Sequence, residues 1–356
     1  MKAGIVGLTG AGRRTLFTLL THVGRAEAGR AAQVGVLKIP DKRLADVARL
    51  KGSRKTTPAT IEFILIPGLV KGGSKEQLDL PALRNVDVLV EVVRAFEEPS
   101  VAHPEGSVNA SRDIEVMELE LTLADLEVVE RRLERLRTDA RKGKKLGPEG
   151  PCELGLLERA RESLAAGTPL RAALTRQEQH QLRGYALLTS KPRLLVVNVG
   201  EADAACEDLI GKLHLRRWAD APATGLSFVS ARIEAEIAEL SPEDASAFRQ
   251  DLGLREGTSE RIVRAALDLM ALITFYTAAE KEARAWIVPH GTRALEAAGT
   301  VHTDMERGFI RAEVVPYQVL AREESWNACR DKGLLRLEGK DYELADGDVV
   351  YFRFHV

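Results

Sequence analysis

Cysteine is scarce. The chain holds three in 356 residues, Cys152, Cys206 and Cys329, far apart and odd in number. That excludes a disulfide framework and a zinc site built from paired thiols, and it fits a reduced, cytoplasmic setting. Aromatic residues make up 5% of a chain that is 45% hydrophobic, so Leu, Val, Ile and Ala must fill the cores. No stretch approaches the ~20 consecutive apolar residues of a membrane-spanning helix. The N-terminus runs straight into a strand and a loop with no apolar signal segment, and no membrane attachment is expected. Charge of one sign is missing too: 51 basic residues face 53 acidic ones, a net charge of −2. A chain-wide nucleic-acid footprint is therefore excluded. The balance is uneven, however. Residues 1–60 carry twelve Lys or Arg against three acids, Glu27, Asp41 and Asp46. This stretch could face the phosphates of a nucleotide or of RNA, or be a solvated basic surface.

A second absence lies inside a motif. Residues Gly7-Leu8-Thr9-Gly10-Ala11-Gly12-Arg13-Arg14-Thr15 have the glycine spacing of GxxxxGK[ST]. Gly4-Ile5-Val6 ahead of them reads as a buried strand, and Thr15 to Leu20 behind them as a helix. Such a loop works because successive backbone N–H groups and a helix N-terminus point at an anion, a path that Gly7, Gly10 and Gly12 permit. The two chemical residues are replaced. Arg13 stands at the lysine position; it keeps the charge but brings a planar fork. Arg14 stands at the hydroxyl position, and a guanidinium cannot ligate magnesium. A later strand, Ile61 to Ile66, leads into Pro67-Gly68-Leu69, where Gly68 fits the γ-phosphate-sensing glycine and Leu65 replaces the usual metal-contacting Asp. Leu69 stands where many GTPases place a water-orienting glutamine. A third element, Asn198-Val199-Gly200-Glu201, follows the buried strand Arg193–Asn198 at the position of a base-recognition motif, and Ser230-Ala231 follows the next strand. No catalytic residue and no metal ligand is assigned.

Up to about residue 110 short β-rich runs (Val34–Ile39, Ile61–Ile66, Val86–Val93) alternate with helical patterns, which is α/β architecture. From Asp113 to Lys142 the pattern becomes a long helix, with Met117, Leu121, Ala124 and Val128 on one stripe. A Gly/Pro/Lys-rich break, Gly143 to Pro151, precedes a returning helix with Leu157, Ala160 and Leu164 on one face. This reads as an inserted α-hairpin, either a structural bundle or a partner-binding arm. From Leu272 onward short strands (Ala285–Val288, Phe309–Val315, Val349–Phe354) and turn signals indicate a small, mostly β domain.

Taken in order, these pieces resemble the YchF family of Obg-like ATPases, in the translation-factor class of P-loop GTPases. The resemblance covers nearly the whole chain. It is carried by Gly4 to Leu8, Gly68-Leu69-Val70-Lys71-Gly72-Gly73-Ser74-Lys75, Val92-Val93-Arg94-Ala95-Phe96-Glu97, Asn198 to Glu201, Glu234 to Leu240, and above all Ala297 to Ala312, closed by Glu338 to Tyr342 and Asp346 to Val349. It implies a Ras-like P-loop NTPase domain (1–112 and 191–271), an inserted helical hairpin (113–190) and a C-terminal TGS domain of β-grasp, ubiquitin-like form (272–356). It implies ATP in preference to GTP, with phosphates at Gly7, Gly10, Ala11, Gly12, Arg13, Arg14, Thr15 and Gly68, and the base at Asn198, Glu201, Ser230 and Ala231. It also implies a partner of the ribosome or RNA, acting through the hairpin and the TGS domain; the sequence does not give the oligomeric state, and a monomer is the expectation. The departures gather at one end of the site. Family loops read close to GLPNVGKST, the family Asp stands where Leu65 does, and the first switch is shortened to about Ala26–Gln33. Magnesium loses its usual ligands while the adenine end is kept, so hydrolysis is expected to be weak or lost. The alternatives are an active ATPase rebuilt around Arg13 and Arg14, or a nucleotide-free interaction scaffold. The segment from Leu272 has eleven basic and fourteen acidic residues, which does not support a strong electrostatic RNA grip by that segment alone. Arg94, His103, His302 and Thr303 are read as structural, and Trp218, Trp286 and Trp326 as core.

Overall fold

Twelve strands form among the described residues of the computed structural model, which are 1–23, 32–67, 79–142, 150–253 and 257–355. They are β1 (Lys2–Val6), β2 (Gln33–Lys38), β3 (Thr56–Thr57), β4 (Thr60–Leu65), β5 (Val88–Ala95), β6 (Arg193–Val199), β7 (Thr224–Val229), β8 (Leu272–Ala278), β9 (Ala283–Pro289), β10 (Phe309–Pro316), β11 (Arg336–Glu338) and β12 (Asp348–Phe354). The chain divides into two compact units, Met1–Leu37 with Glu62–Leu269, and Lys38–Ile61 with Met270–Val356.

The first unit is built on a six-stranded sheet of order β2-β4-β1-β5-β6-β7. β1 pairs in parallel with β4 and β5, β5 with β6, and β6 with β7. Every residue of β5 and β6 is buried, which is why both read as near-continuous apolar runs: a parallel strand covered on both faces has no solvent side for polar residues. The expected hairpin is present. Asn109 caps the helix Ala110–Arg141, and the helix Gly150–Ala165 returns along it. Val129, Leu133 and Leu136 of the first helix bury against Leu157, Ala160 and Leu164 of the second.

Four charged groups break the apolar rule at the centre of this unit. Arg193 of β6 is wholly buried. Its guanidinium donates to Glu91 of β5 at 2.7 Å, to Glu118 of the long helix at 2.5 Å and to the Ile114 carbonyl at 3.1 Å. Arg171 donates to the same Glu118 carboxylate. Two cations and two carboxylates thus neutralise one another where sheet and hairpin meet, both arginines sharing Glu118 Oε2 while its Oε1 is buried without a partner among the described residues.

The second unit is a β-grasp. Its sheet runs β11-β10-β12-β8-β9-β3. The β8–β9 hairpin is antiparallel, β12 lies parallel to β8 in the centre, and β10 and β11 continue antiparallel. The helix Ala294–Val301 covers one face through Ala294, Ala297 and Ala298. The other face shows a difference from the sequence reading, which placed all of residues 1–112 in the nucleotide-binding domain: Lys38–Ile61 belong to this unit. The helix Lys42–Lys51 places Leu44, Val47 and Ala48 against Tyr276, Ala285, Val315, Trp326 and Val349. The physical reason is the i, i+3, i+4 apolar stripe, which must be buried somewhere. Polar ties reinforce it: Tyr317 donates to Asp46 at 2.7 Å and Arg43 to Asp346 at 2.6 Å, while β3 adds a parallel edge to β9.

Replacing Arg193 by Met leaves Glu91 buried without its cation and Glu118 with only Arg171. The expected loss is roughly 3–5 kcal/mol in denaturant unfolding, and a loss under about 1 kcal/mol would show that the network is not needed for stability.

Candidate functional site

The glycine-rich loop leaves β1 and opens the helix Arg13–Thr21, as its spacing requires. Gly7 sits at φ 144°, where a Cβ would lie 2.4 Å from the Val92 carbonyl oxygen. Gly12 caps the helix at φ 95°, where a Cβ would lie 2.4 Å from the Asn198 amide nitrogen. Both positions exclude any side chain. The helix has no side-chain cap and no acid in its first turn, so its N-terminal N–H groups stay available to an anion.

Arg13 turns back into the loop and donates to the Ile66 carbonyl at the end of β4. Burial, and then the neighbouring charge of Arg14, lower its pKa to about 10, so it remains a cation at neutral pH. Its Nε is buried without a partner among the described residues. Arg14 and Thr15 are exposed. Leu65 is buried at the end of β4 and offers no donor atom. This donor set does not fit magnesium: the exposed guanidinium of Arg14 and the apolar side chain of Leu65 take the place of hydroxyl and carboxylate. Among the described residues no cluster of three His, Cys, Asp or Glu side chains is placed to hold a metal. Gly68 and residues 69–78 lie outside the described residues, as do residues 26–31 of the first switch.

The other end of the site is organised by Asn198. Its side-chain amide donates to the Ala11 carbonyl at 3.1 Å, and its oxygen accepts the Ala231 N–H at 3.0 Å. One buried side chain therefore ties the phosphate loop to the turn after β7, and both of its polar ends are engaged by backbone. Glu201 is exposed and pairs with Arg232 at 3.1 Å. The Ser230 hydroxyl is buried with no partner among the described residues. Gly12, Thr15, Asn198, Glu201, Ser230 and Ala231 line a cleft of about 620 Å³, together with Phe96.

Known proteins match this architecture. The family model YchF-GTPase_C, described as "Protein of unknown function (DUF933)", matches residues 272–355. The "Ribosome-binding ATPase YchF" of Bacillus subtilis is 39% identical, over 100% of this chain and 100% of that protein. The protein of the same name from Escherichia coli O157:H7 is 38% identical, over 100% and 99%. The solved "Schizosaccharomyces pombe YchF GTPase" superposes with a TM-score of 0.83 at 28% identity, covering 99% of this chain and 97% of that one.

The chain belongs to the YchF family.

Within this YchF fold the structure adds residues that the sequence reading left in a structural role or quoted only as part of a motif. Arg94 is buried, and its guanidinium donates to the carbonyls of Phe96, Val101 and Glu98 at 3.1, 2.9 and 3.2 Å. It folds the loop after β5 and lies 4.8 Å from the ring centre of Phe96, a half-buried residue that lines the cleft. His103 anchors the same loop. Its Nδ1 accepts the Glu105 N–H at 3.1 Å, so Nε2 carries the proton toward Asp113 at 2.9 Å. His302 does cap a turn, accepting the Asp304 N–H at 3.2 Å. The available signal for Phe96 was an aromatic at the end of a buried parallel strand, where such folds place their ligand sites.

Asn198→Ala should strand the Ala11 carbonyl and the Ala231 N–H. A cost of roughly 2 kcal/mol is expected, with faster amide exchange at Ala231. Wild-type exchange at Ala231 in this variant would refute the tie.

Proposed function

We propose that this YchF-family protein binds an adenine nucleotide in the cleft between the glycine-rich loop and Glu201, without the usual magnesium, with hydrolysis weak or absent. The observation that carries the reading is that one side chain, Asn198, joins the phosphate loop to the base-side turn around a cleft of nucleotide size. The phosphates meet the N–H groups of Gly10 to Thr15, with Arg13 as a fixed cation beside them. Arg14, exposed in the structure, is a second cation within the same loop. At the base end the Glu201 carboxylate is an acceptor for the exocyclic amino group of adenine, and Phe96 offers a ring face. The leucine at position 65 and the arginines at 13 and 14 leave no magnesium ligand on those positions.

The relatives named as ribosome-binding ATPases extend the proposal to a ribosome- or RNA-associated regulator that reads adenine-nucleotide occupancy. Phosphate chemistry around Arg13 and Arg14 is the active-ATPase alternative, and Arg13 held as a buried cation is the feature that favours it. An empty-pocket scaffold is the third reading.

Calorimetric titration with ATP and GTP, with and without magnesium, separates these. Expected is ATP binding that magnesium leaves within about twofold, with Arg13→Ala weakening it roughly tenfold or more, the scale of one charge-assisted hydrogen bond. No heat with any nucleotide would refute the proposal. Glu201→Gln should reduce the ATP-over-GTP preference by roughly fivefold, a discount for an exposed, ion-paired carboxylate. The combined Arg13→Lys, Arg14→Ser and Leu65→Asp variant restores a metal-binding set and should acquire magnesium-dependent binding. If it stays magnesium-independent, the substitutions are not the cause.

A further inference from the structure

The helix Ala110–Arg141 carries one apolar stripe more than its cores use. Met117 and Leu121 bury against Val6, Ile64 and Leu83. Val129, Leu133 and Leu136 bury against the returning helix of the hairpin. A third stripe consists of Val116, Leu119, Leu123 and Leu126. Its ends, Val116 and Leu126, are half-buried and touch the two cores. Its middle is open: Leu119 is 55% exposed and Leu123 45%. A single surface leucine is ordinary. Two of them one turn apart, continued at each end by an apolar residue, form a ridge.

The ridge is spaced three, four and three residues apart, the repeat of a coiled-coil seam. Arg112 and Glu130 stand at the next seam positions and bound it. It covers about 15 Å of helix. Three of the four positions flanking the seam are glutamates, Glu115, Glu120 and Glu127; the fourth, Thr122, is buried. Residues 113–130 hold seven acids and no Lys or Arg. Three of those acids point inward and have internal partners: His103 at 2.9 Å for Asp113, Arg171 and Arg193 for Glu118, and the Thr189 N–H at 2.7 Å for Asp125. The flanking glutamates do not. Arg217 sits on Glu115 at 2.6 Å and Arg131 on Glu127 at 2.7 Å, both exposed pairs. Glu120 has no partner among the described residues.

Such a face selects its partner by charge. Glutamates beside a seam attract Lys or Arg on the facing helix and repel acids. A second copy of this helix would set glutamate against glutamate in either orientation. A nucleic acid or an anionic lipid surface would meet the same repulsion. A helix with an apolar seam and basic flanks meets none. The exposed pairs with Arg217 and Arg131 contribute little, so an incoming cation replaces them at small cost.

We propose that residues 115–127 of the long helix dock a basic amphipathic helix of a partner protein. Leu119 and Leu123 pack against its apolar seam, and Glu115, Glu120 and Glu127 pair with its Lys or Arg side chains. The nucleotide cleft contributes no residue to this face, so the inference goes beyond the nucleotide reading and does not rest on it.

The test is fluorescence anisotropy of the full chain with a labelled synthetic helical peptide that carries Leu at the seam positions and Lys at the flanking ones. A counterpart peptide carries Glu in place of Lys. The chain should bind the Lys peptide roughly tenfold or more tightly than the Glu peptide, a difference that shrinks as salt rises. Leu119→Ala with Leu123→Ala should weaken Lys-peptide binding roughly tenfold or more and leave its salt dependence unchanged. Glu120→Lys with Glu127→Lys should reverse the preference, so that the Glu peptide binds the more tightly. Thermal melts of both variants should match the wild type. A measurement on the wild type needs no variant: carbodiimide labelling of Glu120 should fall when the Lys peptide is bound. No binding of the Lys peptide, equal affinity for the two peptides, or unchanged labelling of Glu120 overturns the proposal. So does a charge swap that leaves the Lys peptide preferred. Sedimentation of the chain alone tests the remaining occupant. A dimer that the leucine pair dissociates would give the face to a second copy and also overturn the proposal.

Discussion

The buried ionic network around Arg193 is the constraint on which the nucleotide cleft depends. β5 and β6 pair over seven residues, from Leu89 with Arg193 to Ala95 with Val199. Each strand ends in a loop that lines the cleft, Phe96 after β5 and Glu201 after β6. A one-residue slip would turn every side chain to the opposite face. An apolar strand pair resists such a slip weakly, because Val and Leu pack acceptably on either face. Arg193 does not: its guanidinium is satisfied only where Glu91, Glu118 and the Ile114 carbonyl converge. Burying four charges is costly, and similar apolar packing would often be as stable. What the charges contribute is a single register, and with it a fixed distance between the two loops.

Asn198 acts on that fixed frame. It is the last polar residue of β6, and its short amide reaches the glycine loop on one side and the Ala231 turn on the other. Gly12 leaves the space the amide fills, since a Cβ there would overlap it. Sequence motif and tertiary contact are one fact here: the glycine spacing serves an anion and also admits Asn198.

Much of this was legible in the sequence, because the strongest signals are local. Glycine spacing predicts the loop after β1, and the apolar run at Val86–Val93 predicts a buried strand, found at Val88–Ala95. The helix read over Asp113–Lys142 begins three residues earlier, where Asn109 caps it. The misses are non-local. The stripe Leu44, Val47, Ala48 announces an amphipathic helix but says nothing about which core receives it, so Lys38–Ile61 read as part of the neighbouring domain. A charge count over the C-terminal segment alone likewise leaves out Lys51 and its neighbours, which belong to the same compact unit. Arg94 and Phe96 were visible as a motif, but three carbonyls gathered around one guanidinium cannot be seen in a string of residue types.

The substitutions at positions 13, 14 and 65 gain their meaning from being together. A lone Lys-to-Arg exchange would keep a cation at the phosphates, and a lone Asp-to-Leu exchange would weaken a metal site. Here the cation is wider and donates to the carbonyl that follows Leu65, so the apolar substitution and the arginine are complementary. A guanidinium fills space and supplies charge, which a divalent ion with its waters also does, but it cannot lower the pKa of bound water or bridge two phosphate oxygens as a metal does. On the proposed reading, a site so altered keeps a cation beside the phosphates and lacks the side chains that would hold a Lewis acid at positions 14 and 65. The base end, meanwhile, stays tied to the loop through Asn198. The site is thus divided on that reading, with the replaced residues at the metal and phosphate end and Asn198 at the other.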